Sequence, residues 1–400
     1  MNRAVNEILR SLIVAVWFMF LTFPIMAVKV NTVEKVITWR LMNVVYVGIS
    51  AFVLSFIWRY LMRRRLIKKE DEDTLQSRIA LRLKQEKRLM PVLGLALFIA
   101  AVAFPFVFSG YQVSVVTTAL MYVVLGLGLN IEVGLAGLLD LGYVAFYAVG
   151  AYTYALLYHH FGISFWMALP LGAMIAALFG VLLGLPVLRL RGDYLAIVTL
   201  GFAEIIRLVL NNWSSFSFGP SGIADIAQPS VFGKTLTLHQ SNDFIYYIML
   251  ALVIFTIFIV GRLRNSRIGR AWIAMREDET ACQSMGINIT KARLTAFALG
   301  ATWAGMMGCV FAAKTTFVNP ASFTFWESII ILSIVVLGGM GSIVGVILGA
   351  FILILLPEYL QSMSQIRMIV FGASMVLMMV FRPQGIISSV RQHYRWKGNI

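Results

Sequence analysis

Six ionisable side chains lie inside long apolar runs of this sequence: Glu132, Asp140, Glu204, Arg207, Glu327 and Glu358. A carboxylate at the centre of a bilayer costs about 2.5–3.5 kcal/mol on insertion scales, so each must face a partner or water. Glu204 and Arg207 stand three residues apart, which on a helix brings them together, as a structural ion pair first and pathway lining second. Glu327 and Glu358 fall near the ends of their runs, where interfacial water solvates them. Asp140 follows Gly137-Leu138-Leu139, and two placements stay open for it, a cavity wall or a shallow hydrated position. Asn130, Asp140, Tyr143, Thr199 and Glu204 are the polar candidates for lining a transport pathway.

Catalytic chemistry has less to stand on. Gly233-Lys234-Thr235 resembles the end of a phosphate-binding loop, but that motif needs a glycine where this chain has Gln228. His159 and His160 abut without a second ligand pair, and Cys282 and Cys309 have neither a metal-ligand partner nearby nor enough company for a disulfide framework. No Ser-His-Asp set or supported carboxylate pair occurs. The expectation is a protein that is not an enzyme and uses no metal and no cofactor.

The elements that position these groups follow from composition. Hydrophobic residues make up 60% of the 400 and charged residues 13%, against roughly 25% charged in soluble domains. The apolar runs are continuous, which in lipid means helices rather than a barrel. An all-α, polytopic transmembrane bundle of 10–12 spans, some broken or short, is expected. The spans are 8–28, 40–62, 91–108, 111–131, 138–158, 165–188, 194–211, 244–261, 292–314, 326–338, 344–358 and 366–382. The first is longer than a signal-peptide core and lacks a convincing cleavage site, so it reads as a retained helix.

The net charge is +15, and 26 of the 33 lysines and arginines fall in clusters that this span set puts on one side. Positive loops stay in the cytoplasm, so both termini belong there and 212–243 lies outside. The chain divides into a two-helix membrane segment (1–62), a basic cytoplasmic linker (63–90), a main bundle (91–390) and a cytoplasmic tail (391–400). Next to a membrane, the linker suits anionic lipid head groups better than nucleic acid.

Two glycine-dense stretches, 126–152 and 336–351, carry Gly134, Gly137, Gly150, Gly338, Gly339 and Gly341. They read either as tight helix packing or as broken helices along a pathway. Each runs into a Gly-Ala-aromatic step, Gly150-Ala151-Tyr152 and Gly349-Ala350-Phe351, which hints at an internal repeat.

Between two spans lies "GRAWIAMREDETACQSMGI" (269–287). Glu277, Asp278 and Glu279 suit the first turn of a helix, where acids complement the positive end of the macrodipole. Ala281, Cys282 and Met285 make a small apolar stripe, and Gly286 sits where a glycine stops a helix. A short helix over 276–286 is expected on the cytoplasmic side, resting in head groups or docking into a soluble partner.

With "LGLNIEVGLAGLLDLGYVAFYAVGAY", "LRLRGDYLAIVTLGFAEIIRLVLNN", "GPSGI", "VLGGMGSIVGVILGA" and "FRPQGI", that segment makes the chain resemble the LivM-type permease subunits of bacterial branched-chain amino acid ABC transporters. The likeness runs over about residues 8 to 386. It implies an importer of the bacterial inner membrane with a second, LivH-like permease, two cytoplasmic ABC ATPases and a periplasmic binding protein that delivers leucine, isoleucine or valine. The segment at 276–286 then corresponds to the helix coupling permease to ATPase, with Arg276, Glu277, Asp278, Ala281 and Gly286 matching the family pattern. Glu132 and Asp140 depart from it, because apolar or small uncharged residues are commoner at those places. At Asp140 that departure raises the option of a hold on the cargo's ammonium group. Competing expectations are the same architecture carrying urea or short amides, and an ion-coupled secondary transporter using Asp140 and Glu204.

Overall fold

In lipid a backbone satisfies its own polar groups, and the apolar runs do so as helices. The computed structural model describes residues 89–188, 190, 192–230, 238–359 and 385–387, with positions 12, 19, 28–31, 36–39, 42, 48, 49, 372 and 376. The spans expected at 8–28, 40–62 and 366–382, the 63–90 linker, the 391–400 tail, Arg189, Arg191 and Gly233–Thr235 fall wholly or mostly outside the described residues.

Two units make up the chain, residues 1–98 and 99–400. The first contains an antiparallel hairpin of β1 (Val28–Asn31) and β2 (Val36–Trp39), which pairs Val28 with Trp39 and Asn31 with Val36. Its valines, isoleucine and threonine are residues that favour strands, and at four residues a strand it leaves the fold class an all-α membrane bundle. Helix α1 (Leu89–Val107) leads into the second unit, where the described regular structure is helical.

There follow α2 (Gly110–Leu129), α3 (Val144–Phe161), α4 (Phe165–Val187), α5 (Asp193–Asn212) and α6 (Leu238–Arg264). Two short helices, α7 (Arg267–Glu277) and α8 (Glu279–Ser284), precede α9 (Ile289–Thr315), α10 (Phe325–Gly338) and α11 (Ile343–Tyr359). Among the described residues five segments are long and apolar enough to cross a membrane: Gly110–Leu135, Phe165–Val187, Gln240–Arg264, Ile289–Thr315 and Pro320–Gly338. Phe98–Val107 and Ile343–Glu358 are shorter apolar helices.

Helix α9 is the axis of the second unit and packs most closely on α4 and α3. Lipid tails are as apolar as leucine, so such packing rests on small residues and close backbone approach. A methyl group on Gly150 would lie 2.5 Å from the Cα of Gly305, and one on Gly308 would lie 2.5 Å from the nitrogen of Ala151. Gly150 is therefore a contact between helix backbones.

The other glycines of the two dense stretches mark breaks. After α2 the helix loosens into a π-helical segment, Asn130–Leu135, and Gly137 takes a φ of 74°, which favours glycine. Helix α3 consequently starts at Val144, six residues later than the 138 read from hydrophobicity. The second break lies between α10 and α11, with Gly339 at φ 114° and Gly341 at φ 83°. The Gly-Ala step falls at the seventh residue of both α3 and α11, so the repeated sequence pattern sits at equivalent places after two breaks.

Because the α3–α9 crossing leaves no room for a side chain, Gly150→Val should cost about 2–3 kcal/mol through overpacking. In detergent it should lower the apparent melting temperature and the monodisperse yield. Gly201→Val on α5, where an added methyl meets nothing within 4 Å, should leave both unchanged. Equal behaviour of the two variants would contradict the crossing.

Candidate functional site

A break inside an apolar bundle frees backbone groups that water does not reach, so side chains must take them. At the first break Asp140 Oδ1 accepts from the Gly142 amide at 2.7 Å. Thr199 Oγ1 on α5 accepts from the Leu141 amide at 3.0 Å, and Ser328 Oγ on α10 accepts from the Val144 amide at 3.1 Å. Tyr143 donates its hydroxyl to the Gly300 carbonyl at 3.1 Å. Asn130 Oδ1 accepts from the Gly341 amide at 2.8 Å, which ties the first break to the second. At the second break the Gly338 carbonyl accepts from the Ile387 amide at 3.2 Å.

Asn130, Glu132, Asp140, Tyr143 and Thr199 are all buried. Glu132 lies against Gly300, where a methyl group would strike its carboxyl, and its nearest charged neighbour is Asp140. Among the described residues neither acid forms an ion pair. The Glu132 and Asp140 carboxyls face each other, and among the described residues Asn130 Nδ2 has no hydrogen-bond partner. Four of the five candidate pathway residues thus converge on the first break. Glu204 does not join them; it lies on the half-exposed part of α5, paired with Arg207 at 2.7 Å.

Beside this cluster sits the charged segment, whose form differs from the expected single helix over 276–286. It is two helices hinged at Asp278, whose φ of −153° ends α7, while its side chain caps α8 by accepting from the Ala281 amide at 3.0 Å. Asp278 prefers this because a short acceptor ahead of a helix satisfies a free N–H group. Glu277 therefore closes α7 rather than opening the helix that follows. Gly286 stands at φ 82°, the conformation of a terminating glycine. The apolar stripe does not hold together: Cys282 is buried, whereas Ala281 is exposed and Met285 is 83% exposed.

The two helices are fastened to the bundle at three points. Arg276 Nη1 donates to the Gly134 carbonyl at 2.5 Å, in the π-helical segment, with its stem against Gly137. The fully buried Trp272 donates its indole N–H to the Ala292 carbonyl at 2.8 Å. Arg293, also buried, pairs with Glu279 at 2.5 Å and donates to the carbonyls of Leu188 and Leu190 at the end of α4. Trp272 and Arg293 escape sequence reasoning. Their signal is an aromatic and a cation flanking the charged stretch, which reads equally well as interfacial anchoring.

At the opposite end of α9, Glu327 and Glu358 accept hydrogen bonds from Tyr122 and Tyr111 on α2, so protein hydroxyls take the place expected for interfacial water. A cavity of about 550 Å³ lies nearby, lined by Tyr158, His159, Phe218 and Asp225. No group of three or more histidine, cysteine, aspartate or glutamate side chains suited to a metal occurs among the described residues.

A family model described as "Branched-chain amino acid transport system / permease component" matches residues 111–379. The chain is 46% identical over 323 residues to the high-affinity branched-chain amino acid transport system permease protein LivM of Salmonella typhimurium, covering 76% of each chain. The LivM protein of Escherichia coli is likewise 46% identical over 322 residues, again with 76% of each chain covered. The LivH permease protein of Escherichia coli is 26% identical over 295 residues, covering 68% of this chain and 92% of that one. No solved structure matches the chain significantly.

Arg293 spans a carboxylate and two carbonyls, a task for a planar fork of donors. Arg293→Met should destabilise the second unit by about 3 kcal/mol, the scale for breaking a buried ion pair. Arg293→Lys should recover only a minor part, since one ammonium cannot reach all three acceptors. Thermal unfolding of the purified protein reads both; full rescue by lysine would contradict the bridging role.

Proposed function

The chain belongs to the permease family of branched-chain amino acid transport systems, and on that premise we propose that it carries leucine, isoleucine or valine into the cytoplasm. It does so as one half of a pair with a related permease, in the bacterial inner membrane with both termini cytoplasmic. Two ATPases bind below, and a periplasmic binding protein delivers cargo above. The basic 63–90 linker lies on anionic lipid. Nucleic acid has no part in the scheme.

One observation carries this reading: the α7–α8 pair is exposed on one face and fastened to a broken helix on the other. Glu277, Asp278, Thr280, Ala281 and Met285 are exposed, a surface suited to a groove on an ATPase. Behind them Arg276 grips the Gly134 carbonyl. A push on the helices therefore reaches the π-helical segment through a hydrogen bond rather than through a flexible loop. The breaks at 130–143 and 339–342 act as the hinges of alternating access, the general scheme for transporters with interrupted helices.

The stretch 213–230 forms the receiving face on the other side. Phe218 and Asp225 there take φ values of 62° and 57°, and Ile223 bridges to Val318. Non-glycine residues held in the left-handed region cluster at functional segments. An ion-driven scheme through Asp140 and Glu204 fits less well, because Glu204 is engaged by Arg207.

The test is uptake of labelled leucine by proteoliposomes containing both permeases, the ATPases and the binding protein. Uptake should require ATP. Arg276→Ala should lower it roughly tenfold while ATP hydrolysis continues, as expected when about 1.4 kcal/mol or more of coupling is lost. Met285→Glu should weaken ATPase attachment. Leucine uptake driven by an ion gradient with no ATPase present would overturn the reading.

A further inference from the structure

Helix α2 carries a polar stripe, Tyr111, Ser114, Thr118 and Tyr122, at the three- and four-residue spacing that puts side chains on one face. Two charged residues of opposite sign meet this face from neighbouring helices. Lys314, near the end of α9, donates through Nζ to the Ser114 carbonyl at 2.9 Å and to Thr118 Oγ1 at 2.5 Å. Glu327, in the first turn of α10, accepts from the Tyr122 hydroxyl. Among the described residues neither charge has an ion-pair partner.

Thr118 and Tyr122 are one turn apart on α2, about 6 Å along its axis. Lys314 and Glu327 therefore meet α2 at adjacent levels, on the side remote from α7–α8. Buried opposite charges normally pair with each other, because each alone forfeits hydration without Coulombic return. Here hydroxyls and a carbonyl hold them apart at partly exposed positions, which leaves each with capacity for another ligand.

An apolar wall stands next to the charges. Phe311 precedes Lys314 by three residues on α9, so the two share a face, and Tyr147 packs against that face. Its ring is 5.4 Å from that of Phe311 and 5.3 Å from that of Phe323, which are 5.7 Å from each other. Tyr152 joins the group at 6.2 Å from Phe323, and its hydroxyl is buried, 3% exposed as a residue, with no hydrogen-bond partner.

A cation, an anion and an aromatic wall are complementary to a molecule that carries a carboxylate and an ammonium on one carbon with an apolar chain attached. We propose that this juxtaposition of Lys314, Glu327 and aromatic rings is an amino-acid-binding site within the permease, with Lys314 taking the carboxylate, Glu327 the ammonium and the half-buried ring of Phe311 the hydrocarbon side chain. This rests on the cargo proposed above. The site lies at the end of α9 opposite the coupling helices. With α9 at 27 residues, the two ends are about 40 Å apart.

The test uses the assembled transporter without its binding protein and reads affinity by saturation-transfer NMR for three probes. Leucine has both charged ends, leucinamide lacks the carboxylate, and 4-methylpentanoate lacks the ammonium. The wild-type complex should prefer leucine to each analogue by roughly tenfold or more, because a site built for a polar group rejects a ligand that lacks it. Lys314→Met should abolish the preference over leucinamide and keep that over 4-methylpentanoate. Glu327→Gln should do the reverse. Lys314→Arg and Glu327→Asp, which keep the charges, should keep both preferences and guard against a folding defect. Loss of leucine affinity without this end-by-end selectivity would make the two residues structural and overturn the site. So would a complex that transports leucine but distinguishes none of the probes. A complex that neither binds nor transports leucine would instead overturn the cargo itself.

Discussion

Backbone polar groups have no water to turn to inside an apolar bundle, and the arrangement of this protein follows from where it interrupts its helices. Each interruption releases N–H and C=O groups whose desolvation costs several kcal/mol if nothing replaces water. The replacements are side chains from distant parts of the chain. Thr199 and Ser328 serve residues 141 and 144, Asn130 serves residue 341, and Arg276 serves residue 134. Arg293 performs the same task for residues 188 and 190, where α4 ends. Satisfying the backbone and connecting the helices are one and the same act.

That economy has a mechanical consequence. A packed apolar interface resists shear but has no directional link, whereas a hydrogen bond to a freed carbonyl joins two particular atoms. Helices α7 and α8 carry little apolar surface into the bundle beyond Trp272, Met275 and Cys282. They hold on by directional bonds to the π-helical segment and, through Trp272 and the Glu279–Arg293 pair, to the start of α9, whose Arg293 in turn holds the end of α4. Force applied to their exposed side is thereby delivered at three places, one of them a helix already loosened to i→i+5 bonding. π-Helical segments of this sort occur often at functional sites.

How far the sequence discloses this differs by feature. The helices were legible because continuous hydrophobicity leaves few alternatives, and the ends of α2, α4, α5 and α10 fall within two residues of those read from it. The start of α3 was not, since Leu138, Leu139 and Leu141 extend the apolar run through a segment that Gly137 has already turned. The hinge at Asp278 was hidden for a similar reason: three consecutive acids suit the first turn of one helix as well as they suit a junction between two. Asn130, Asp140, Tyr143 and Thr199 were recognisable as polar residues in apolar surroundings, but only tertiary folding shows that they meet. Lys314 was overlooked because a lysine at the end of a span reads as snorkelling to the interface. Its nitrogen instead turns inward to α2.

The glycines bear on both parts of the molecule. At Gly150, Gly305 and Gly308 the missing side chain lets backbones touch and makes a rigid crossing. At Gly128, Gly134 and Gly300 it leaves room for Tyr143, Asn130 and Glu132, polar groups that the bundle would otherwise exclude. One residue type thus builds a stiff post, α9 with α3 and α4, and beside it a polar seam that runs through both breaks. Motion along the seam costs less than motion of the post, because hydrogen bonds between alternative partners exchange while a close-packed crossing does not deform in small steps. In the alternating-access cycle proposed for this chain, the moving part is therefore residues 130–143 and 339–342 and the fixed part the centre of α9, which is the division of labour that rocking one half-bundle against another requires.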